Sequence, residues 1–226
     1  MTAPLSIVIP TLNAAGEIGP CLGALAEALT EGLIREVILT DGGSSDGIEL
    51  VADAAGAELV SGPAGRGGQL ARGAEAAQGE WLLFLHADTI LSRGWSEAVR
   101  RHMRETPEAA GWFRLQFDAS GAAPALVAAW ANFRARRFGL PYGDQGLLVS
   151  RRVYRRAGGF DAIPLMEDVA LVRRMPALRE LDANAVTSAR RYREQGWLRR
   201  GWRNLSTCAL WRMGMSPERL ARRYER

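Results

Sequence analysis

The sequence predicts an α/β protein with a mostly parallel central sheet and a helical C-terminal tail. Three observations lead there. Apolar runs of strand length alternate with helix-length amphipathic segments through the first half of the chain. Small, polar and acidic residues follow directly on each of the first four runs. The 226 residues, 47% hydrophobic and 24% charged, have the size and composition of one soluble globular domain.

The elements follow in order. Residues 6–10 (SIVIP) read as a strand, and 14–29 have helical spacing through Ile18, Leu22, Leu25 and Leu29. A second strand over 36–40 (EVILT) precedes a helix over 47–55, and a short third strand over 57–61 precedes a helix over 68–77. The fourth strand, within 81–89 (WLLFLHADT), is five bulky apolar residues that stop abruptly at His86-Ala87-Asp88, with a helix over 92–104 beyond. This alternation implies parallel strands joined by right-handed crossovers, a Rossmann-like unit. The second half loses the rhythm: strands over 112–117 and 146–150 flank a helix over 125–138. A helix over 166–175 ends before Pro176, a last strand covers 182–187, and 196–222 reads as helical. No repeat or low-complexity linker divides the chain, so the expectation is a single domain over 1–226. Its lobes are 1–105 and 106–195, and a basic tail covers 196–226.

Composition excludes several classes. The first residues carry no basic start, and no run approaches the ~18 apolar residues of a membrane span. Cys21 and Cys208 lie far apart in sequence and are expected as free thiols in a reducing cytoplasm. The net charge is +4 and every basic residue besides His is Arg. The lack of Lys fits genomic composition, but the clustering of Arg after Arg134, densest over 190–226, points to an anionic ligand or surface. Nucleic acid is a poor fit, because aromatics do not interleave with Arg on a strand platform.

In a parallel sheet the four strand endings fall on one edge, where ligands of open α/β sheets bind. The first ending carries Thr11, Asn13 and Glu17; the second, Asp41 to Gly47; the third, Arg66 among glycines; the fourth, His86 and Asp88. Asp88 on a rigid strand end suits a divalent cation held against a phosphorylated substrate; capping the next turn is the plainer role. Asp41 can accept from a base or ribose. Asp46 reads as the N-cap of the next helix. Arg66 suits a diphosphate or, equally simply, solvent. Trp112 and Phe113 read as core.

Five segments in register, SIVIPTLNAAGEI (6–18), EVILTDGGSSDG (36–47), GRGGQLARGAEAAQGEWLLFLHADT (65–89), GDQGLLVSRRVYRRAGGFD (143–161) and MEDVALVRRM (166–175), resemble family-2 glycosyltransferases. The His-Ala-Asp variant and GDQG look most like a bacterial subfamily named for arsenosugar biosynthesis. The resemblance implies a GT-A fold and inverting transfer of a sugar from a nucleoside diphosphate donor, with UDP the expected base and GDP or dTDP open, to an acceptor hydroxyl. It places the nucleotide-sugar in the first lobe and the acceptor in the second.

Carried over by position, Pro10, Thr11 and Glu17 would border the base, and Asp41 the base or ribose. Arg66 would lie by the ribose or phosphates. Asp88 matches the second acid of the family's Asp-X-Asp motif and would hold Mn²⁺ or Mg²⁺. His86 replaces the first acid, and either meets the metal or contacts ribose or phosphate. Glu167-Asp168 matches the family's Glu-Asp pair: Asp168 would be the catalytic base, with Glu167 orienting the base or the acceptor. An acidic first turn that merely stabilises its helix is the alternative. Arg190 and Arg191 are candidates for steadying the departing diphosphate, and Asp144 for a sugar or acceptor hydroxyl, or simply a turn.

In the tail, Leu198, Trp202, Leu205 and Ala209 share helical spacing among Arg199, Arg200, Arg203 and Arg212. That stripe suits an anionic membrane surface, this chain's own core, or a second subunit in a homodimer. Two rival functions remain. A sugar nucleotidyltransferase would carry a Gly-rich basic loop after the first strand, where this chain has PTLNAAGEI. A non-catalytic GT-A-like binding protein on a membrane gains from the missing first acid, but is disfavoured by retention of Asp41, Asp88 and Asp168. The expected place of action is the cytoplasm or the inner membrane face.

Overall fold

The computed structural model describes residues 3–224, apart from the side chains of Leu198 and Tyr224. The first half runs β1 (Leu5–Thr11), α1 (Gly19–Ala24), α2 (Ala26–Thr30), β2 (Ile34–Asp41), α3 (Ile48–Ala55), β3 (Glu58–Ser61), α4 (Arg66–Ala76) and β4 (Trp81–Phe84). Then come β5 (Thr89–Leu91), α5 (Trp95–Glu105), β6 (Ala110–Phe117), α6 (Ala122–Phe138), a 3₁₀ turn at Gly143–Gln145, β7 (Leu147–Ser150) and α7 (Arg151–Arg156). The chain ends with α8 (Glu167–Val172), β8 (Leu178–Thr187), α9 (Arg190–Gln195), α10 (Trp197–Arg212) and α11 (Pro217–Tyr224).

The strands form one sheet in the order β3-β2-β1-β4-β7-β6-β8-β5. β1 pairs in parallel with β2 and β4, β2 with β3, and β6 with β8. β7 runs antiparallel between β4 and β6, and β5 antiparallel beside β8. All the strands but β5 and β7 therefore point one way, and the mostly parallel expectation holds.

Burial on both faces explains the unbroken apolar runs. Leu5, Ile7, Ile9, Trp81 and Leu83 face the layer that contains Ile18, Leu25 and Trp95. Val8, Ile38, Leu82 and Phe84 face the opposite layer with Leu70, Val153 and Val169. Trp112 and Phe113 are 2% and 0% exposed, core residues as expected. Cys21 and Cys208 are buried free thiols.

Two expectations need correction, and a third is narrowed. The helix expected over 14–29 begins only at Gly19 and is interrupted at Leu25. Backbone amides before it are spent on the neighbouring loop: Asn13 N donates to Ser44 Oγ (2.8 Å) and Ala15 N to Asp46 Oδ2 (2.7 Å). Asp46 is therefore no N-cap; α3 starts from Gly47, in the left-handed region at φ 82°, without a side-chain cap. In the tail, α10 docks through Cys208, Leu210 and Trp211. Of the alternatives for the tail stripe, docking on the chain's own core is the one not realised: Trp202 and Leu205 are 73% and 37% exposed and Ala209 is exposed.

Candidate active site

The C-terminal ends of β1, β4 and β8, the start of α4, and the turns before α8 and α9 surround a cavity of about 560 Å³. Pro10, Thr11, Glu17, Arg66, His86, Asp88, Asp144, Glu167, Asp168, Arg190 and Arg191 all line it. One expected residue does not. Asp41 is 4% exposed, and its carboxylate is filled by Thr11 Oγ1, Ser44 Oγ and the amides of Gly43 and Ser44. Burial alone would raise its pKa, but the hydrogen bonds from Ser44, Gly43 and Thr11 win and hold it below the usual carboxylate range. Asp41 organises the loop after β2 and does not line the cavity.

Sequence reasoning missed Gln69, which fixes the cavity floor. Its Nε2 donates to Thr11 O and Thr40 O, both at 2.7 Å, and its Oε1 accepts from Gly65 N at 3.2 Å. One buried amide thus ties the ends of β1 and β2 to the start of α4. A polar side chain on the apolar face of α4, between Gly65 and Gly73, was the available signal.

α4 begins two residues earlier than expected, which puts Arg66 on its first turn and not in a loop. Its guanidinium stands between two cavity-lining groups: Nη1 is 3.4 Å from His86 Nε2, and Nε is 3.4 Å from Glu167 Oε1. Burial, then the charges of Arg66 and Arg191, push the His86 pKa down to about 3. The imidazole is therefore neutral and offers Nε2 to the guanidinium as an acceptor. Glu167 behaves oppositely. Burial and the neighbouring Asp168 raise its pKa to about 7, against the attraction of Arg66. Burial likewise raises Asp88, opposed mainly by Arg191.

α8 presents Asp168 from its first turn, after Met166 in the left-handed region at φ 69°. Asp168 Oδ2 accepts from Gly143 N at 2.6 Å and Oδ1 from Val169 N at 2.7 Å. The side chain is thus pinned between the turn at 143–145 and its own helix. That turn needs glycine at 143, because a Cβ there would stand 2.6 Å from His86 Nε2. Asp144 follows with Oδ1 buried and without a hydrogen-bond partner among the described residues. Burial, against Arg134 and reinforced by Asp168 and Asp88, raises its pKa to about 6. Arg134, another residue missed in the sequence, holds the turn from behind. It stacks 3.4 Å over the Tyr142 ring and donates to Leu140 O (2.9 Å) and Gln145 Oε1 (3.2 Å).

Arg190 forms an ion pair with Glu17, so two residues expected at the donor meet each other across the cavity rim. Arg191 lies close enough to influence both His86 and Asp88. Among the described residues no three His, Cys, Asp or Glu side chains form a ready cation cage. Mg²⁺ seldom uses one, binding through one or two carboxylates plus substrate phosphates and water. Asp88 with a diphosphate is such a donor set, and the residues fit a cation that arrives with its nucleotide.

Residues 6–157 match the profile described as Glycosyl transferase family 2. The chain belongs to that family. Among curated relatives, glucosyl-3-phosphoglycerate synthase of Mycolicibacterium paratuberculosis is 34% identical over 95 residues, 38% of this chain and 29% of that protein. A PGL/p-HBAD biosynthesis glycosyltransferase of Mycobacterium bovis is 37% identical over 99 residues, 40% of this chain and 38% of the relative. These alignments thus span about a third of the relatives' length.

Among solved structures, glucosyl-3-phosphoglycerate synthase from Mycobacterium tuberculosis in complex with Mn²⁺, UDP and glucosyl-3-phosphoglycerate superposes with a TM-score of 0.57. It is 22% identical, over 81% of this chain and 70% of that one. S. aureus TarS 1-349 gives a TM-score of 0.63 at 16% identity, over 82% and 60%. The likeness shows the expected GT-A fold.

Proposed function

We propose that this family-2 glycosyltransferase is an inverting enzyme of the cytoplasm, organised as one domain over 1–226, that moves a sugar from a UDP-sugar to an acceptor hydroxyl. One observation carries the reading: Asp88 and Asp168, 80 positions apart in sequence, line the same cavity at the carboxyl edge of the sheet. The mycobacterial synthase of like fold was solved with Mn²⁺ and UDP bound, which supports the choice of donor and ion.

Asp168 has the part of base. Its two backbone hydrogen bonds fix its position and leave each oxygen a lone pair, so it can accept the acceptor's proton while that oxygen attacks the anomeric carbon. The bond from that carbon to the diphosphate breaks on the opposite face, which inverts the centre. Glu167, Arg66 and His86 form a chain of contacts from the base toward the donor and keep the Arg66 guanidinium oriented to the departing phosphates. Arg191 adds positive charge on the other side. Pro10, Thr11 and Glu17 border the base, with Glu17 released from Arg190 as it does so. Asp144, with its unpartnered oxygen, receives an acceptor or sugar hydroxyl. Asp88 would hold Mn²⁺ or Mg²⁺, which when bound neutralises charge on the diphosphate as a Lewis acid.

Calorimetry of UDP, GDP and dTDP with and without Mn²⁺ tests this. UDP should bind best, only Mn²⁺ should make it tight, and Asp88→Ala should erase the Mn²⁺ effect while leaving the fold intact by circular dichroism. Equal affinity for all three nucleotides, untouched by Mn²⁺, would refute the donor assignment.

A further inference from the structure

We propose that the outward faces of α6 and α10 form one docking surface for a bilayer with anionic headgroups, and that the cavity opens beside it.

α6 is apolar on both sides. Pro124, Ala131 and Ala135 face inward and are buried. On the opposite face Leu126, Trp130 and Phe133 are 67%, 42% and 49% exposed. Trp130, Phe133 and Phe138 form a continuous aromatic strip, with ring centroids 5.7 and 6.0 Å apart. A helix on an aqueous surface puts charge outward, so this second apolar face calls for a partner.

α10 repeats the pattern and packs against α6. Arg200, Asn204 and Thr207 line the cavity. At ~100° per residue, Trp202, Leu205 and Ala209 fall on the far side of the same helix, and Met213, which caps its C-terminus, is 74% exposed.

Charge identifies the partner. Arg137, Arg199 and Arg212 are exposed beside these stripes, and among the described residues no acidic side chain pairs with them. The tail over 196–226 carries eight Arg and two Glu, while the whole chain is only +4. A two-fold contact between copies would set this patch against itself and bring the arginines together. Exposed Trp and Phe rimmed by Arg instead match the interfacial zone of an anionic bilayer, where rings sit at headgroup depth. The contact is peripheral, since among the described residues no helix is long and apolar enough to cross a membrane. Because one side of α10 would meet lipid and the other walls the cavity, an acceptor carried at the bilayer surface has a short route to Asp168.

The test is co-sedimentation of the full chain with vesicles of phosphatidylcholine alone, and of phosphatidylcholine with about 30% phosphatidylglycerol. Binding should appear only with the anionic vesicles and fall sharply at about 0.5 M salt. Trp130→Ser/Phe133→Ser/Trp202→Ser should weaken it about tenfold or more. Arg199→Glu/Arg212→Glu should do likewise, at about fivefold or more per residue. UDP affinity should stay unchanged in both variants, which also reports that they fold. Absence of binding to anionic vesicles, or equal binding to neutral ones, would overturn the proposal. So would light scattering that shows a dimer dissociated by the aromatic substitutions. Vesicle binding without UDP binding would instead count against the donor assignment alone.

Discussion

Glu167→Gln gives a test of the site that needs no substrate. The Glu167 side chain is 3% exposed, and its pKa rises from 4.5 to about 7 on folding. The folded protein therefore keeps a proton that the unfolded chain has already released. Stability from this source is fully present below pH 4.5 and is lost as pH climbs through 7. At ~1.4 kcal/mol per unit the loss is about 3 kcal/mol, and it already includes the attraction of Arg66, which opposes the upshift. Gln copies the shape of the protonated acid and does not titrate. Wild type and variant should thus match within about 1 kcal/mol near pH 5. Near pH 8.5 the variant should lead by about 3 kcal/mol, or roughly 6–12 °C in Tm for a chain of this size. Urea and thermal unfolding of both proteins at half-unit pH steps would measure the gap. A gap that stays constant from pH 5 to 8.5 would refute the reasoning, for Glu167 would then be ionised throughout.

Two other substitutions probe separate parts of the structure. Asp168→Asn should keep UDP affinity within about threefold while slowing UDP release from the donor by about 10²–10⁴-fold, read from coupled turnover beside calorimetry. Gly67→Ala should destabilise the fold by about 3 kcal/mol or more in urea unfolding, because its Cβ would lie 2.2 Å from Asp161 O and 3.0 Å from Ile163 O.

Legibility in the sequence followed burial. β1, β2 and β4 are unmistakable, because strands covered on both faces leave solid apolar runs such as Trp81–Phe84. β5, at three residues, is too short to show a period, and its pairing with β8 is visible only in space. β8 begins four residues before its expected start, since Leu178 to Leu181 pair with β6 along a stretch in which charged residues interrupt the apolar ones. In the site, Thr11, Glu17, Arg66, His86 and Asp88 were recognisable from their place after strands, whereas Asp144, Glu167 and Asp168 were marked by the family resemblance. The orientation of Asp41 was not legible, because a strand-end carboxylate looks the same whether it points toward a ligand or back into its own loop, as it does here. Gln69 was marked only by its polarity on an otherwise apolar helix face, and nothing local marks Arg134, whose partners are Leu140 O, Gln145 and the Tyr142 ring. The outer face of α6 escaped notice for a related reason: an apolar helix between two strands looks like core until its neighbours are known.

The antiparallel insertion of β7 has a kinetic consequence. β4 lies beside β1 early in synthesis, but its other edge waits for Leu147–Ser150, about 60 residues and roughly 3–12 s later at ribosomal speed. During that interval the nascent chain exposes an unpaired, wholly apolar edge. Chaperone demand and aggregation during expression should concentrate there, and slower elongation between β4 and β7 should lower the yield of native protein.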